Sequence, residues 1–226
     1  MRGLSTWVFL ILSSTRWLYT PRGCAVFYVP IRNQHLIRTC LPTSHGYEST
    51  SILGGKSQFV RLFEFVATID YTPYLCVPAA LGFRKKVCGG EEAIRGYCQD
   101  LAQQGGILVA NILGTSTMDN STNTISKCCF TNVLLPLTFG PGGILLQSSG
   151  EVISGEASTI QQWLNITAVK EFDTYLQIAY FGGAMWVRLS GQIYLEVEDF
   201  EWVGLKLKEL CDRVRKGEAT RSVSVQ

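Results

Sequence analysis

Trp17-Leu18-Tyr19-Thr20-Pro21-Arg22-Gly23-Cys24-Ala25-Val26-Phe27-Tyr28-Val29-Pro30 is the stretch whose interpretation governs the rest of the chain. Between Pro21 and Pro30 it runs from Gly23 to Val29 as one continuous apolar segment, the pattern of a strand buried on both faces of a sheet. Such a strand needs neighbours, so the segment predicts an α/β arrangement around it. Directly before it stands Arg16. A guanidinium stays protonated and delocalised at any usable pH, so position 16 offers no neutral amine to a carbonyl.

Downstream, residues 31–55 are irregular and rich in Ser, Thr and Gly, the composition of a surface or active-site loop. Apolar residues at Leu75, Val77, Ala79, Ala80, Leu81 and Phe83 predict a short helix over 73–86. A longer helix is predicted over 91–113, with Ala93, Ile94, Tyr97, Leu101, Leu108 and Ile112 on its apolar side and Gly105-Gly106 weakening its middle. The period then changes. Residues 128–137 read as a strand and 159–167 as a helix, and 175–181 with 185–189 read as two strands joined by a turn at Gly182-Gly183. A last helix over 198–215 carries Phe200, Val203, Leu207 and Leu210 on its apolar face, and 217–226 is a polar, frayed tail. Gly140-Pro141-Gly142-Gly143 reads as a linker.

Composition excludes several classes. With 226 residues, 46% of them hydrophobic, and a net charge of +2, the chain has ample material for a core and no basic stripe for nucleic acid. Arg84-Lys85-Lys86 is the one basic cluster and reads as a solvated helix face. The eight cysteines include no C-x-x-C pair and fall mostly in apolar stretches, which fits free thiols in a reducing, cytoplasmic compartment. His35 and His45 are the two histidines, and no Cys/His spacing suits zinc. No stretch approaches the ~20 apolar residues of a membrane helix. Trp7 to Leu12 imitates the apolar core of a signal peptide but is shorter than the about 7 to 15 residues usual there, so 1–16 is read as a leader unrelated to the rest of the chain. The sequons at Asn120 and Asn165 carry meaning only in a secreted chain.

Gly54-Gly55-Lys56-Ser57 echoes the end of a phosphate-binding loop, yet Thr50 stands where the leading glycine belongs and no buried strand precedes it. Nucleotide binding is therefore not expected.

The segment Trp17-Leu18 followed by Pro21-Arg22-Gly23 resembles the one after the Schiff-base lysine of class V aminotransferase-like enzymes, in particular the isopenicillin N epimerase and cysteine-sulfoxide lyase branch. Those enzymes have His-Lys where this chain has Thr15-Arg16. The resemblance runs from about Trp17 to Lys216 and corresponds to the C-terminal half of such an enzyme. It implies pyridoxal phosphate as cofactor, an amino acid as substrate and a homodimer as the working assembly. It also implies the fold: a remnant of a fold type I large domain over 17–113, then a small α+β domain over 114–216. In Ala67-Thr68-Ile69, Thr68 matches the threonine that reaches the cofactor phosphate of the neighbouring subunit, with Ala67 where the family has glycine. In Trp186-Val187-Arg188-Leu189-Ser190, Arg188 matches the arginine that grips the substrate α-carboxylate through two parallel hydrogen bonds. Read without the family, Thr68 is an ordinary turn residue and Arg188 an edge-strand arginine in a surface ion pair.

With arginine at position 16 the resemblance predicts a truncated pyridoxal-phosphate epimerase, lyase or transaminase that is not catalytically competent as this chain, with no catalytic residue to assign. The alternative is a non-catalytic partner subunit that lends Thr68 to a full-length relative.

Overall fold

The structure, a computed structural model, describes residues 10–37, 57–64, 70–146 and 152–221. They fall into two compact units, Met1–Val87 and Cys88–Gln226. The expected boundary between 113 and 114 differs from this division by one long helix, which belongs with the second unit.

In the first unit, strand β1 (Leu10–Ser13), drawn from the apolar run that imitated a signal peptide, pairs antiparallel with β2 (Ala25–Tyr28), Leu10 facing Tyr28 and Ser13 facing Ala25. Helix α1 (Ser14–Leu18) lies between them. Tyr19 at φ 61° ends it, and Gly23 at φ 90° turns the chain back into β2. A strand buried on both faces is not what forms. Cys24 and Val29 flank β2 and are buried, but all four of its residues are exposed. Phe27 leans onto Phe59 and Phe63 of helix α2 (Gln58–Glu64), with ring centroids 6.4 and 5.8 Å away. An unbroken apolar run reports hydrophobicity, and it does not reveal how many layers will cover it.

Residues Ile31–Leu36, expected as loop, form a 3-10 helix. The predicted helix over 73–86 is two pieces, α3 (Thr72–Leu75) and α4 (Val77–Lys86), broken at Cys76. Asp70 accepts the Thr72 N–H at 2.9 Å at the start of α3, and hydrogen bonding from Thr72 holds its carboxyl below the usual carboxylate range. Arg84 does not belong to a solvated face. It is buried, donates from Nη1 to the Trp17 carbonyl at 2.6 Å and lies 4.8 Å over the Tyr19 ring, whereas Lys85 and Lys86 are exposed.

The second unit is a five-stranded antiparallel sheet, ordered β5-β4-β3-β7-β6, packed against helices. Helix α5 (Glu91–Leu113) starts after Gly90 at φ 91° and stops at Gly114 at φ 66°. Its buried side is centred on Ile94, Cys98, Leu101, Ala102, Val109 and Leu113, while Ala93 and Tyr97, expected inside, are exposed. Gly105 and Gly106 do not weaken α5. They are buried where an added Cβ would stand 2.1 Å from the Phe200 ring and 2.6 Å from the Thr131 side chain.

The strands are β3 (Phe130–Phe139), β4 (Ile144–Leu146), β5 (Val152–Glu156), β6 (Gln177–Phe181) and β7 (Ala184–Ser190). The Gly140–Gly143 stretch is no linker between domains; it is the turn between antiparallel β3 and β4, with Gly142 and Gly143 at φ 76° and 74°. Gly182 and Gly183, both at positive φ, make the two-residue β6–β7 hairpin that the sequence indicated. Pro136 sits where the β3–β7 register shifts, the position at which a residue without N–H does least damage to a ladder. The core gathers Val133, Leu135, Ile178, Met185 and Val187 from one face of the sheet with residues of α5, of helix α6 (Ala157–Phe172) and of helix α7 (Val197–Arg215). The tail is not wholly frayed, because Glu218–Arg221 forms helix α8 and Ala219 is buried. Among the described residues no helix is long and apolar enough to cross a membrane.

Candidate functional site

Strand alternation sends Met185, Val187 and Leu189 into the core and Trp186, Arg188 and Ser190 to the opposite face of the sheet. Arg188 is exposed there, on an interior strand and not on the edge: β3 flanks β7 on one side and β6 on the other. In register, Asn132 of β3 and Gln177 of β6 stand directly opposite Arg188, so the three form one row across three strands. The guanidinium carbon lies 5.5 Å from the centroid of the Phe130 ring, a cation–π contact that holds the side chain over the start of β3. Trp186 is pinned by its indole N–H donating to the Phe181 carbonyl at 3.2 Å, and the Tyr175 hydroxyl donates to Gln177 Oε1 at 3.2 Å.

The surface ion pair that a bland reading assigns to Arg188 does not form among the described residues. The ion pairs of this unit lie elsewhere, as between Arg213 and Glu171 or Arg215 and Asp212. Arg188 therefore presents its hydrogen-bond donors to solvent on a fixed base, which is what a carboxylate site needs before its ligand arrives. Arg188 was singled out by its resemblance to the family segment; its neighbours Phe130, Asn132 and Gln177 were not, because cross-strand register is invisible in a single sequence.

Arg16 lies in the last turn of α1, exposed, and belongs to the first unit. Thr68 and the Gly54–Lys56 part of the phosphate-loop echo lie outside the described residues. A concavity of about 230 Å³ opens beside α5, lined by Gln103, Thr117, Asp119, Ser126 and Thr131 among others. Asp119 is committed to its own loop there. It accepts backbone N–H groups of Asn120 at 2.8 Å and Ile125 at 3.1 Å, and hydrogen bonding led by Ser126 keeps its pKa below the usual range. The Asn120 sequon side chain is likewise tied to Thr124, at 2.7 Å. Among the described residues no group of His, Cys, Asp and Glu could hold a metal ion.

Three curated proteins are similar to this chain. The chain is 35% identical over 228 aligned positions to the L-cysteine desulfhydrase-like protein lolT1 of Epichloe uncinata, covering 91% of this chain and 50% of that protein. It is 34% identical to the L-cysteine desulfhydrase-like protein lolT2 of the same organism, over 96% of this chain and 51% of the relative. It is 31% identical to the hercynylcysteine sulfoxide lyase of Schizosaccharomyces pombe, over 90% and 46% respectively. The chain thus spans about half the length of the curated relatives it matches. No family model matches it.

Arg16, exposed on α1, carries a guanidinium and offers no neutral amine for an imine with pyridoxal phosphate.

Proposed function

We propose that this chain is a lyase-like protein of the pyridoxal-phosphate type related to cysteine desulfhydrases and cysteine-sulfoxide lyases, of the class V aminotransferase-like kind, and that its second unit binds the α-carboxylate of a cysteine-derived amino acid through Arg188. The observation that carries this is Arg188 on an interior strand, based on Phe130 and without an ion pair among the described residues, in a chain whose relatives are named for cysteine-derived substrates. In this reading Arg188 takes one carboxylate oxygen on each of two N–H donors and fixes the direction in which the rest of the amino acid leaves the sheet. With Arg16 in place of the lysine, the chain performs no imine chemistry of its own, and its contribution is binding.

The test is titration of the chain with L-cysteine. Arg188→Gln should weaken binding by about 10- to 100-fold, the loss of a charge-assisted pair. Arg188→Lys should restore it in part, since the charge returns without the planar fork. Equal affinity in wild type and Arg188→Gln would rule the assignment out.

A further inference from the structure

Cys98, Cys128 and Cys129 gather where α5 passes the start of β3, and two of the three meet. Odd-numbered positions of β3 face the helices: Val133, Leu135 and Leu137 are buried, and Thr131 fills the space beside Gly106 of α5. Cys129, one residue before the strand, continues that series, and Cys98 lies about two turns before Gly106 on the buried side of α5. Backbone contacts bring the two together. Gly191, after β7, donates its N–H to the Cys129 carbonyl at 2.9 Å and lies so close to α5 that an added Cβ would stand 2.2 Å from the Cys98 carbonyl oxygen. Beside them Gln99 Nε2 donates to the Lys127 carbonyl at 3.5 Å. The Cys98 thiol in turn hydrogen-bonds to the Cys129 sulfur. Cys128 is engaged elsewhere, its thiol donating to the Ile125 and Phe130 carbonyls at 3.0 and 3.1 Å.

We propose that Cys98 and Cys129 are a reversible redox site, a dithiol that a hydroperoxide closes to a disulfide between α5 and the start of β3. The site is independent of the carboxylate reading of Arg188. Accessibility sets the order of events: Cys98 is 1% exposed and Cys129 only partly buried, so the peroxide reaches Cys129 first. The Cys129 thiolate attacks one peroxide oxygen, the O–O bond breaks, and the sulfur is oxidised to a sulfenic acid while the other oxygen leaves and takes up the thiol's proton. The Cys98 sulfur then attacks the sulfenic sulfur, the S–O bond breaks, and that oxygen leaves as water with the Cys98 proton. The hydrogen bond between the thiols already sets one sulfur against the other, the approach this second step needs. Burial raises the Cys129 pKa and Cys128 adds to the rise, while Arg95 and Cys98 pull it back, so the first step is slow at neutral pH and quickens as pH rises. A small thiol reopens the bridge by exchange, which suits a switch in a reducing compartment, where lasting disulfides are rare.

Trypsin exposes the bridge directly, since cleavage after Arg95, Lys127 and Lys170 puts Cys98 in peptide 96–127 and Cys129, with Cys128, in peptide 128–170. The folded full chain is treated with hydrogen peroxide at mildly alkaline pH and its remaining thiols are alkylated. The monomer band of a non-reducing gel is then digested for mass spectrometry. A cross-linked pair of these two peptides should appear in wild type and in Cys128→Ser. It should disappear on treatment with dithiothreitol and be lost in Cys98→Ala and in Cys129→Ala. The wild-type and Cys128→Ser results decide the matter even where an alanine variant fails to fold. No cross-link in the folded wild-type chain, a bridge to Cys98 that survives Cys129→Ala, or a cross-link that forms only after unfolding in urea overturns the proposal.

Discussion

The ring of Phe200 on α7 occupies the space that a side chain on Gly105 of α5 would need: a Cβ there would lie 2.1 Å from Cδ1. Gly105 and Phe200 are thus one joint, the place where two helices come close enough for an aromatic ring to rest on a bare backbone.

Two effects oppose each other in Gly105→Ala. Helix propensity favours alanine by about 1 kcal/mol, while overpacking a rigid core costs up to about 3 kcal/mol. With an overlap this deep against a buried ring, packing wins. Chemical denaturation should show a net loss of about 2 kcal/mol, and Phe200→Leu in the same chain should recover part of it. A Gly105→Ala chain as stable as wild type would mean that α5 and α7 do not close on this residue.

Arg84 lends itself to a contrast with its neighbours. It is buried with its guanidinium on the Trp17 carbonyl and over Tyr19, so Arg84→Leu strands an acceptor and removes a stacked cation. The expected loss is about 1–3 kcal/mol. Lys85→Gln and Lys86→Gln, at exposed positions, should change stability by less than about 0.5 kcal/mol. Thermal unfolding of the three variants checks this, and similar shifts for all three would return Arg84 to the solvated face.

These two sites show what one sequence reveals and what it withholds. Helices over 91–113 and 197–215, the β6–β7 hairpin at Gly182-Gly183 and the strand from Phe130 were legible because period, caps and turn glycines are local signals. The purpose of Gly105 was not, since a propensity penalty and a packing requirement look alike until Phe200 is in place. The buried side of α5 was misjudged by about one position: Cys98 and Ala102 face inward where Tyr97 was expected, because small residues opposite a sheet carry little hydrophobic signal. Arg84 hid inside a basic triplet. Arg188 came from the resemblance, and Gln177 and Asn132 came only with the strand register.

Arg213 joins three helices. It donates from Nη1 and Nη2 to the two Glu171 oxygens of α6 at 2.7 and 2.9 Å, and from Nε and Nη2 to Glu218 of α8 at 2.9 and 2.6 Å. Hydrogen bonding from Arg213 lowers the Glu171 pKa below its ordinary 4.5. A depressed folded-state value means the contribution is present above about 4.5 and disappears as pH falls through the lower folded value. Glu171 is largely exposed, so solvent screening holds the gain below about 1 kcal/mol. Glu171→Gln should therefore be slightly less stable than wild type at neutral pH, with the gap closing below pH 4.5 and shrinking in high salt. A gap independent of pH would assign the effect to something other than this ion pair.

Cys211 carries the corresponding prediction on the alkaline side. It is buried on α7 within the core, and desolvation pushes its thiol up to about 12 from an ordinary 9.0. The sign follows from proton uptake: between about pH 9 and 12 the unfolded chain ionises this thiol while the folded chain keeps it protonated, so stability falls as pH rises through that window. One such group contributes a slope of about 1.4 kcal/mol per pH unit. Cys211→Ala should lower stability at pH 7 through the cavity it leaves, and should flatten the decline above pH 9 relative to wild type. The slope carries the prediction, since a cavity lowers stability equally at every pH. The same burial predicts that the native thiol resists alkylation until the helix layer opens, whereas Cys76, partly exposed in the first unit, reacts in the folded chain. Parallel alkaline slopes in wild type and Cys211→Ala, or rapid native-state alkylation of Cys211, would mean that α7 does not seal this position from water.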